Sequence, residues 1–398
     1  MFFSQASNAL DIVSSLFTDS ASQASKSQLD CGFTSSRFRP SSHSEQTELD
    51  AGDITLASQA CEGFTSSSSE SVTSQIFPAS HSFSPVYGYG LVDAAAAVAA
   101  SIGRSRFADV ADQYHDLNLW GLDAVSAPEV WNAGYTGRNV VVAVIDSGVD
   151  FTHSDLNDNI WINQDEILGN GIDDDYNGYV DDLIGWDFVS GDNNPMDFDG
   201  HGTHVAGTIA AERNGAGIIG VAFDAEIMPI RVLGETGGAD LDIAEGIVYA
   251  ANNGANVINL SLGGSSPAPE IAQAIQYATE RGAMVVMSAG NNGQSEPGYP
   301  GYYAKQWGVA VGAIDEYGYM ADTGDWASNL AGNDPAMRYI VAPGVNVYST
   351  IPNDEYEAFG GTSMAAPHVA GVAALMLSAN PDLSPAQLRQ ILIQTTIS

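Results

Sequence analysis

From Arg106 to the end of the chain, apolar runs alternate with helix-spaced segments, and glycine marks most of the junctions. VVVAVID, EIMPIRVL, VINLSLGG, MVVMSAG, WGVAVGAI and YIVAPG are short, rich in valine and isoleucine, and show little polar alternation. That pattern predicts strands covered on both faces, as in a parallel sheet. HGTHVAGTIAA, DLDIAEGIVYAANNG and EIAQAIQYATERG space their apolar residues three and four apart, which predicts helices. Strand and helix in alternation give an α/β fold, a mostly parallel sheet with helices on both faces. Such sheets bind ligands outside the carboxyl ends of their strands, so strand ends and helix starts are where chemistry is expected.

Residues 1–82 have no such period. They are rich in Ser, Gln and Thr, which predicts a disordered or weakly ordered leader. No basic segment precedes an apolar one there, so neither a secretory signal peptide nor a membrane span is expected. Residues 83–103 read as a glycine-rich turn and an alanine-rich helix, and residues 104–398 as the folded α/β domain.

Composition sharpens this. The net charge is −37, and only three bases and nine acids fall in the first 85 residues, so the acidity belongs to the folded part. That excludes nucleic acid and anionic membrane as natural partners and favours cation binding. Cys31 and Cys61 both lie in the leader; they can pair, but nothing requires it. Between Asp150 and Asp199 there are fourteen acids and no Lys or Arg. Within that stretch Asp173, Asp175, Asn177, Tyr179 (through its carbonyl) and Asp181, with Gly178 at the sharp turn, follow the first nine positions of an EF-hand-type loop. The closing position is Ile184 rather than a glutamate, leaving Asp182 and Asp187 as alternatives. Hard oxygen ligands suit Ca²⁺.

Three glycine-flanked polar residues stand at element ends. Asp146 closes VVVAVID, His201 opens the helix of DGHGTHVAGTIAA, and Ser363 opens the helix of GGTSMAAPHVAG, with Pro367 expected in its first turn. Singly they are a turn aspartate, a structural histidine and a helix cap. Together they are the side chains of a nucleophilic triad: serine attacks, histidine moves the proton, and a buried carboxylate holds the histidine tautomer.

These blocks, with MVVMSAGNNG, resemble the subtilase family of serine proteases in order and spacing, from about Asn118 to the end of the chain. The resemblance implies a serine-type endopeptidase with Asp146 as orienting carboxylate, His201 as general base and acid, Ser363 as nucleophile, and Asn291 as oxyanion donor. It implies that Ser261, Leu262 and Gly263 pair with an extended peptide. Ala289 and Gly290 would wall a specificity pocket, with Gly298 at its floor and Glu296 nearby to favour a basic side chain. His153, His204 and His368 match positions without a catalytic role and read as packing residues. A family calcium site is implied at Asp155 and Asn214, with the carbonyls of Glu212, Ala216 and Ile218 and with Asp116. The acidic loop resembles an insertion in a bacterial branch that includes cyanobacterial calcium-dependent proteases.

Residues 87–103 resemble the segment that usually closes the family's domain at its C-terminus. Two readings stand: the segment docks from the N-terminal side, or it is the remnant of another unit. The expected partners are polypeptide substrates bound by a monomer, with structural Ca²⁺ and no organic cofactor. The family favours secretion or the periplasm, but the compartment stays open. A silent peptide-binding module and an esterase are the competing classes; all three triad residues argue against the first, and the SLGG strand against the second.

Overall fold

A computed structural model describes residues 82–114 and 118–398. Residues 1–81 of the expected leader, with Cys31 and Cys61, lie outside the described residues, as does Asp116. At the centre is a seven-stranded sheet, parallel throughout. Its strands are β1 (Val141–Asp146), β2 (Trp186–Asp187), β3 (Glu226–Arg231), β4 (Val257–Leu260), β5 (Met284–Ser288), β6 (Val309–Ile314) and β7 (Tyr339–Pro343). The order across the sheet is β2-β3-β1-β4-β5-β6-β7. A hairpin of β8 (Val347–Ile351) and β9 (Glu355–Phe359) stands apart.

The chain leaves β1 for the edge strand β2, returns to β3, and then crosses over β1 to reach β4 on its other side. The helix His201–Ala210 connects β2 to β3 and packs on the later helix Thr362–Ala379, while Asp240–Asn252 and Pro269–Glu280 follow β3 and β4 and pack on each other. The carboxyl end of β1 therefore lies at the point where the topology reverses, where α/β sheets open a crevice.

The helix Thr362–Ala379 is buried on nearly every side, which accounts for its apolar sequence. Among the described residues it is the one helix long and apolar enough to cross a membrane, and 83% of that window is buried inside the fold. Pro367 lies in its second turn rather than its first. The carbonyl left without an N–H partner four residues back is that of Ser363, and the Ser261 hydroxyl fills it at 2.7 Å.

Residues 89–92 run beside β7: Tyr89 N–H donates to the Tyr339 carbonyl at 2.9 Å and Val92 N–H to that of Val341 at 3.1 Å. Leu91 exchanges main-chain hydrogen bonds with Ile397 at 2.7 and 2.8 Å. The helix Ala94–Ser101 follows, with Asp93 accepting from Ala96 N–H at 3.0 Å as its cap. Val92, Val98 and most of the alanines of this helix are fully buried in the main core.

Candidate active site

Asp146 ends β1 fully buried. Its Oδ1 accepts from Ser147 N–H at 2.7 Å and lies 2.7 Å from Nδ1 of His201, the first residue of its helix. The close approach depends on Gly202, where a Cβ would meet the Gly148 carbonyl oxygen at 2.0 Å. One further residue, which the sequence did not single out, holds the two segments together. Asp197 Oδ1 accepts from the Ser147 hydroxyl at 3.0 Å and from the Asp199 and Gly200 N–H groups at 2.9 Å. Its Oδ2 accepts from the N–H and hydroxyl of Thr203 at 2.9 and 2.6 Å. A carboxylate taking so many donors at a helix start both caps the helix and fixes where His201 stands.

Burial alone would keep the His201 imidazole neutral at lower pH. The charge and hydrogen bond of Asp146, with the charges of Asp199 and Asp197, outweigh burial and raise its pKa to about 8. Two other histidines, His204 and His368, shift the opposite way. Burial lowers His204 to about 4, with Nε2 on the Val347 carbonyl at 2.9 Å and its ring stacked on Phe359. Burial also lowers His368 to about 4, and its Nδ1 meets the Met364 carbonyl at 2.9 Å. His153 lies against the Glu355 carbonyl at 3.2 Å.

Ser363 is the second residue of its helix. Its hydroxyl donates to the Ser261 carbonyl at 3.1 Å, rather than to the imidazole, while the Ser261 hydroxyl donates to the Ser363 carbonyl at 2.7 Å. The two serines are thus locked reciprocally. Ser363 N–H has no acceptor among the described residues, as befits the first turn of a helix.

Asn291 is oriented by Thr362, whose N–H and hydroxyl donate to Oδ1 at 2.8 and 2.9 Å. Those donors fix which end of the amide is oxygen, so Nδ2 is left as a donor with no acceptor among the described residues, on a residue that lines the groove. Asn329 staples the same loop: its Nδ2 donates to the Ala289 carbonyl at 3.0 Å, and its Oδ1 accepts from Asn292 and Gln294 N–H at 3.1 and 2.9 Å.

Two recesses of about 470 Å³ each flank the segment Ser261–Gly264 that follows β4. One is lined by Ala289, Gly290, Asn291, Gly298, Asn329 and Ser363. The other holds His201, Asp199, Leu233 and Leu262. Gly263 keeps its main-chain N–H and carbonyl unpaired among the described residues. Glu296 is not part of the first recess; its side chain packs over Gly332, so nothing places a charge at the floor by Gly298.

The acidic loop folds around its own polar groups. Asp173 takes the N–H groups of Asn177 and Gly178 at 3.1 and 2.9 Å, and Asp175 that of Asn177 at 3.0 Å. Asn177 Oδ1 accepts from Tyr179 N–H at 2.8 Å. Asp181 does not join Asp173 and Asp175; it turns to the N–H groups of Asn170 and Gly171, both at 3.0 Å. Glu166, absent from the sequence pattern, stands there instead, with carboxylate oxygens of Glu166, Asp173 and Asp175 within 4.8 Å of one another.

The second predicted cation site is also brought together. Asp155 Oδ1 accepts from Asn214 Nδ2 at 2.9 Å and Oδ2 from Ile218 N–H at 2.8 Å. The carbonyls of Glu212, Ala216 and Ile218 accept no hydrogen bond among the described residues.

Residues 137–397 match the subtilase family. Subtilisin BL of Lederbergia lenta is 44% identical over 280 residues, covering 70% of this chain and 91% of that protein. Subtilisin Savinase of the same organism is 43% identical over the same shares. Among solved structures, a protease from Pseudoalteromonas arctica superposes with a TM-score of 0.56 at 35% identity, over 68% of this chain and 87% of that one. A cold-adapted subtilisin-like serine proteinase gives 0.53 at 30%, over 68% and 89%. With two thirds of the chain matched and such identities, the protein belongs to the subtilase family of serine endopeptidases.

Proposed function

We propose that Asp146, His201 and Ser363 are the triad of this serine endopeptidase and that Asn291 is its side-chain oxyanion donor. The observation that carries the assignment is the 2.7 Å contact of buried Asp146 with His201 Nδ1, beside a groove that also exposes Ser363 and Asn291 Nδ2. A peptide laid along Ser261–Gly263 pairs with those main-chain groups by β-augmentation. It takes the Ser261 carbonyl that the Ser363 hydroxyl occupies at rest, and the freed hydroxyl turns to His201 Nε2. Oγ attacks the peptide carbonyl as His201 takes its proton, and Asp146 stabilises the imidazolium. Negative charge on the carbonyl oxygen meets Asn291 Nδ2 and Ser363 N–H. His201 then returns the proton to the leaving amine, and water, activated by the same base, releases the acyl group from Ser363.

Asn291→Ala is expected to lower kcat by about 10²–10³-fold with little change in KM, a magnitude carried over from a subtilisin rather than calculated from this groove. Steady-state kinetics on one peptide decide it; a loss confined to KM contradicts the assignment.

The base works only when neutral. With the His201 pKa raised to about 8, kcat/KM is expected to climb as pH rises through that value and to level above it. Asp199→Asn removes a charge that favours the imidazolium, so its midpoint moves to lower pH. A profile with no inflection between about pH 6 and 9 contradicts His201 as base.

The subtilisin family is generally calcium-binding. We read structural Ca²⁺ at two places in this chain. Asp155 and Asn214, with the carbonyls of Glu212, Ala216 and Ile218, form one; Asp173, Asp175, Asn177 and the Tyr179 carbonyl contribute to the other. The unpaired carbonyls of the first and the orphaned carboxylate oxygen of Glu166 at the second fit a hard cation. Chelation is expected to lower Tm and speed self-cleavage in the surface loops; an unchanged Tm contradicts a structural ion.

A further inference from the structure

Glu166 is buried, with 7% of its surface exposed. Its Oε1 accepts from the N–H groups of Asp174 and Asp175 at 2.8 and 3.3 Å. Its Oε2 is buried and has no hydrogen-bond partner among the described residues. Glu166 groups with Asp173 and Asp175, each offering a carboxylate oxygen, and no Lys or Arg occurs between Asp150 and Asp199 in the sequence. An unpaired carboxylate oxygen out of water is costly, and two like charges beside it add repulsion. Apolar packing holds only part of the loop: Tyr179 packs on Trp186, Phe188 and Tyr249, while Ile167, Leu168, Ile172 and Tyr176 are exposed. A divalent cation resolves both difficulties.

We propose that Glu166 is the closing carboxylate of a calcium site formed with Asp173 and Asp175, supplied from seven residues before the loop instead of from its far end. The proposal rests on the calcium reading above and changes its ligand set. Ile184 offers no ligand at the usual closing position, and Asp181 is engaged elsewhere. Oxygens within 4.8 Å of one another can share an ion bound at about 2.3–2.6 Å. Asn163 donates to Asp175 and Asp182 at 3.1 and 3.2 Å, and Tyr249 Oη to Asp182 at 2.6 Å, so neutral donors anchor the loop's other side.

The test is calorimetric calcium titration of the full chain carrying Ser363→Ala, which prevents self-digestion. Glu166→Gln keeps an acceptor for the two N–H groups but removes the charge and the second oxygen. It is expected to weaken one binding event roughly tenfold or more. The event at Asp155 should stay unchanged, and the calcium-dependent gain in Tm should shrink. Asp173→Asn should weaken the same event. If Glu166→Gln titrates like its parent while Asp173→Asn does not, the ion is present and Glu166 is not its ligand. If both titrate like the parent, the loop holds no calcium. Peptide cleavage by the Ser363 enzyme tests the protease reading separately.

The recess beside His201 is apolar at its floor and acidic at its rim. Leu262, Ala268 and Ile271 are buried, while Asp199 and Asp240 are exposed and their carboxylates have no partner among the described residues. No lysine or arginine lines it. Because Ser261–Gly264 borders both recesses, an extended peptide paired with this segment sends alternate side chains into one and the other. If the residue at the cleaved bond enters the recess of Ser363, the second and fourth residues before that bond enter the one beside His201. We infer that lysine or arginine is preferred at those two positions, with methylenes on the apolar floor and the cation at Asp199 or Asp240. This depends on the peptide-pairing reading above.

Peptides differing only at the second or fourth position test it, with kcat/KM measured well above pH 8 so that His201 is neutral throughout. Lysine is expected to exceed glutamate by roughly fivefold at each position, and Asp199→Asn to erase the preference at the second. Equal rates for all side chains overturn the inference while leaving the protease intact. No cleavage of any peptide overturns the protease reading instead.

Discussion

Ser363→Ala and His201→Ala should each lower kcat by about 10⁶-fold, and the double variant should lose scarcely more than either alone. The figure is carried over from a subtilisin; what this structure adds is the reason for non-additivity. The Ser363 hydroxyl rests on the Ser261 carbonyl, which accepts its hydrogen bond but is too weak a base to take its proton, so the proposed base is His201. Without the imidazole the hydroxyl is an ordinary alcohol, and without the hydroxyl the imidazole has nothing to activate. The residual rate comes from Asn291, the main-chain N–H of residue 363 and peptide binding along Ser261–Gly263, all of which both variants retain. KM should therefore move little. Additive losses would mean that the two residues do not act as a unit.

Deleting residues 83–103 should lower stability by several kcal/mol. Val92 and Val98 are fully buried, and at about 1.5–3 kcal/mol each they account for about 3–6 kcal/mol. In a domain of this size that corresponds to a Tm lower by roughly 6–12 °C. Scans belong on the Ser363→Ala background at one fixed rate, because proteases often unfold irreversibly. We propose on this packing that the segment closes the domain from the N-terminal side, beside β7 and Ile397. An unchanged Tm would return it to the reading of a remnant that the domain does not use.

The strands, their parallel sense and the residues at their ends were legible because buried parallel strands and amphipathic helices have distinct periods. The Asp, His and Ser blocks were legible because each sits where backbone geometry demands glycine. What stayed hidden depends on contacts between residues far apart in the chain. Asp197 looks like one more acid in an acidic stretch until Ser147, Gly200 and Thr203 are seen donating to it. Thr362 and Asn329 fix the Asn291 loop through bonds spanning dozens of residues. Glu166 escaped because an EF-hand pattern expects its closing acid after the loop, and here the chain supplies one before it. Pro367 was expected in the first turn; it stands in the second, and the Ser261 hydroxyl makes that tolerable. Glu296 was near Gly298 in sequence, but its side chain turns to Gly332.

The central claim is that Ser363, activated by His201, forms the acyl-enzyme. Phenylmethylsulfonyl fluoride sulfonylates such a serine: Oγ bonds to the sulfur, the S–F bond breaks, fluoride leaves, and His201 takes the hydroxyl proton; the adduct can be located by mass spectrometry of a digest. One adduct per chain on the peptide containing Ser363, absent in His201→Ala and formed in step with loss of peptide cleavage, is the predicted result. Full inactivation with Ser363 unmodified, or labelling that persists undiminished in His201→Ala, would contradict it.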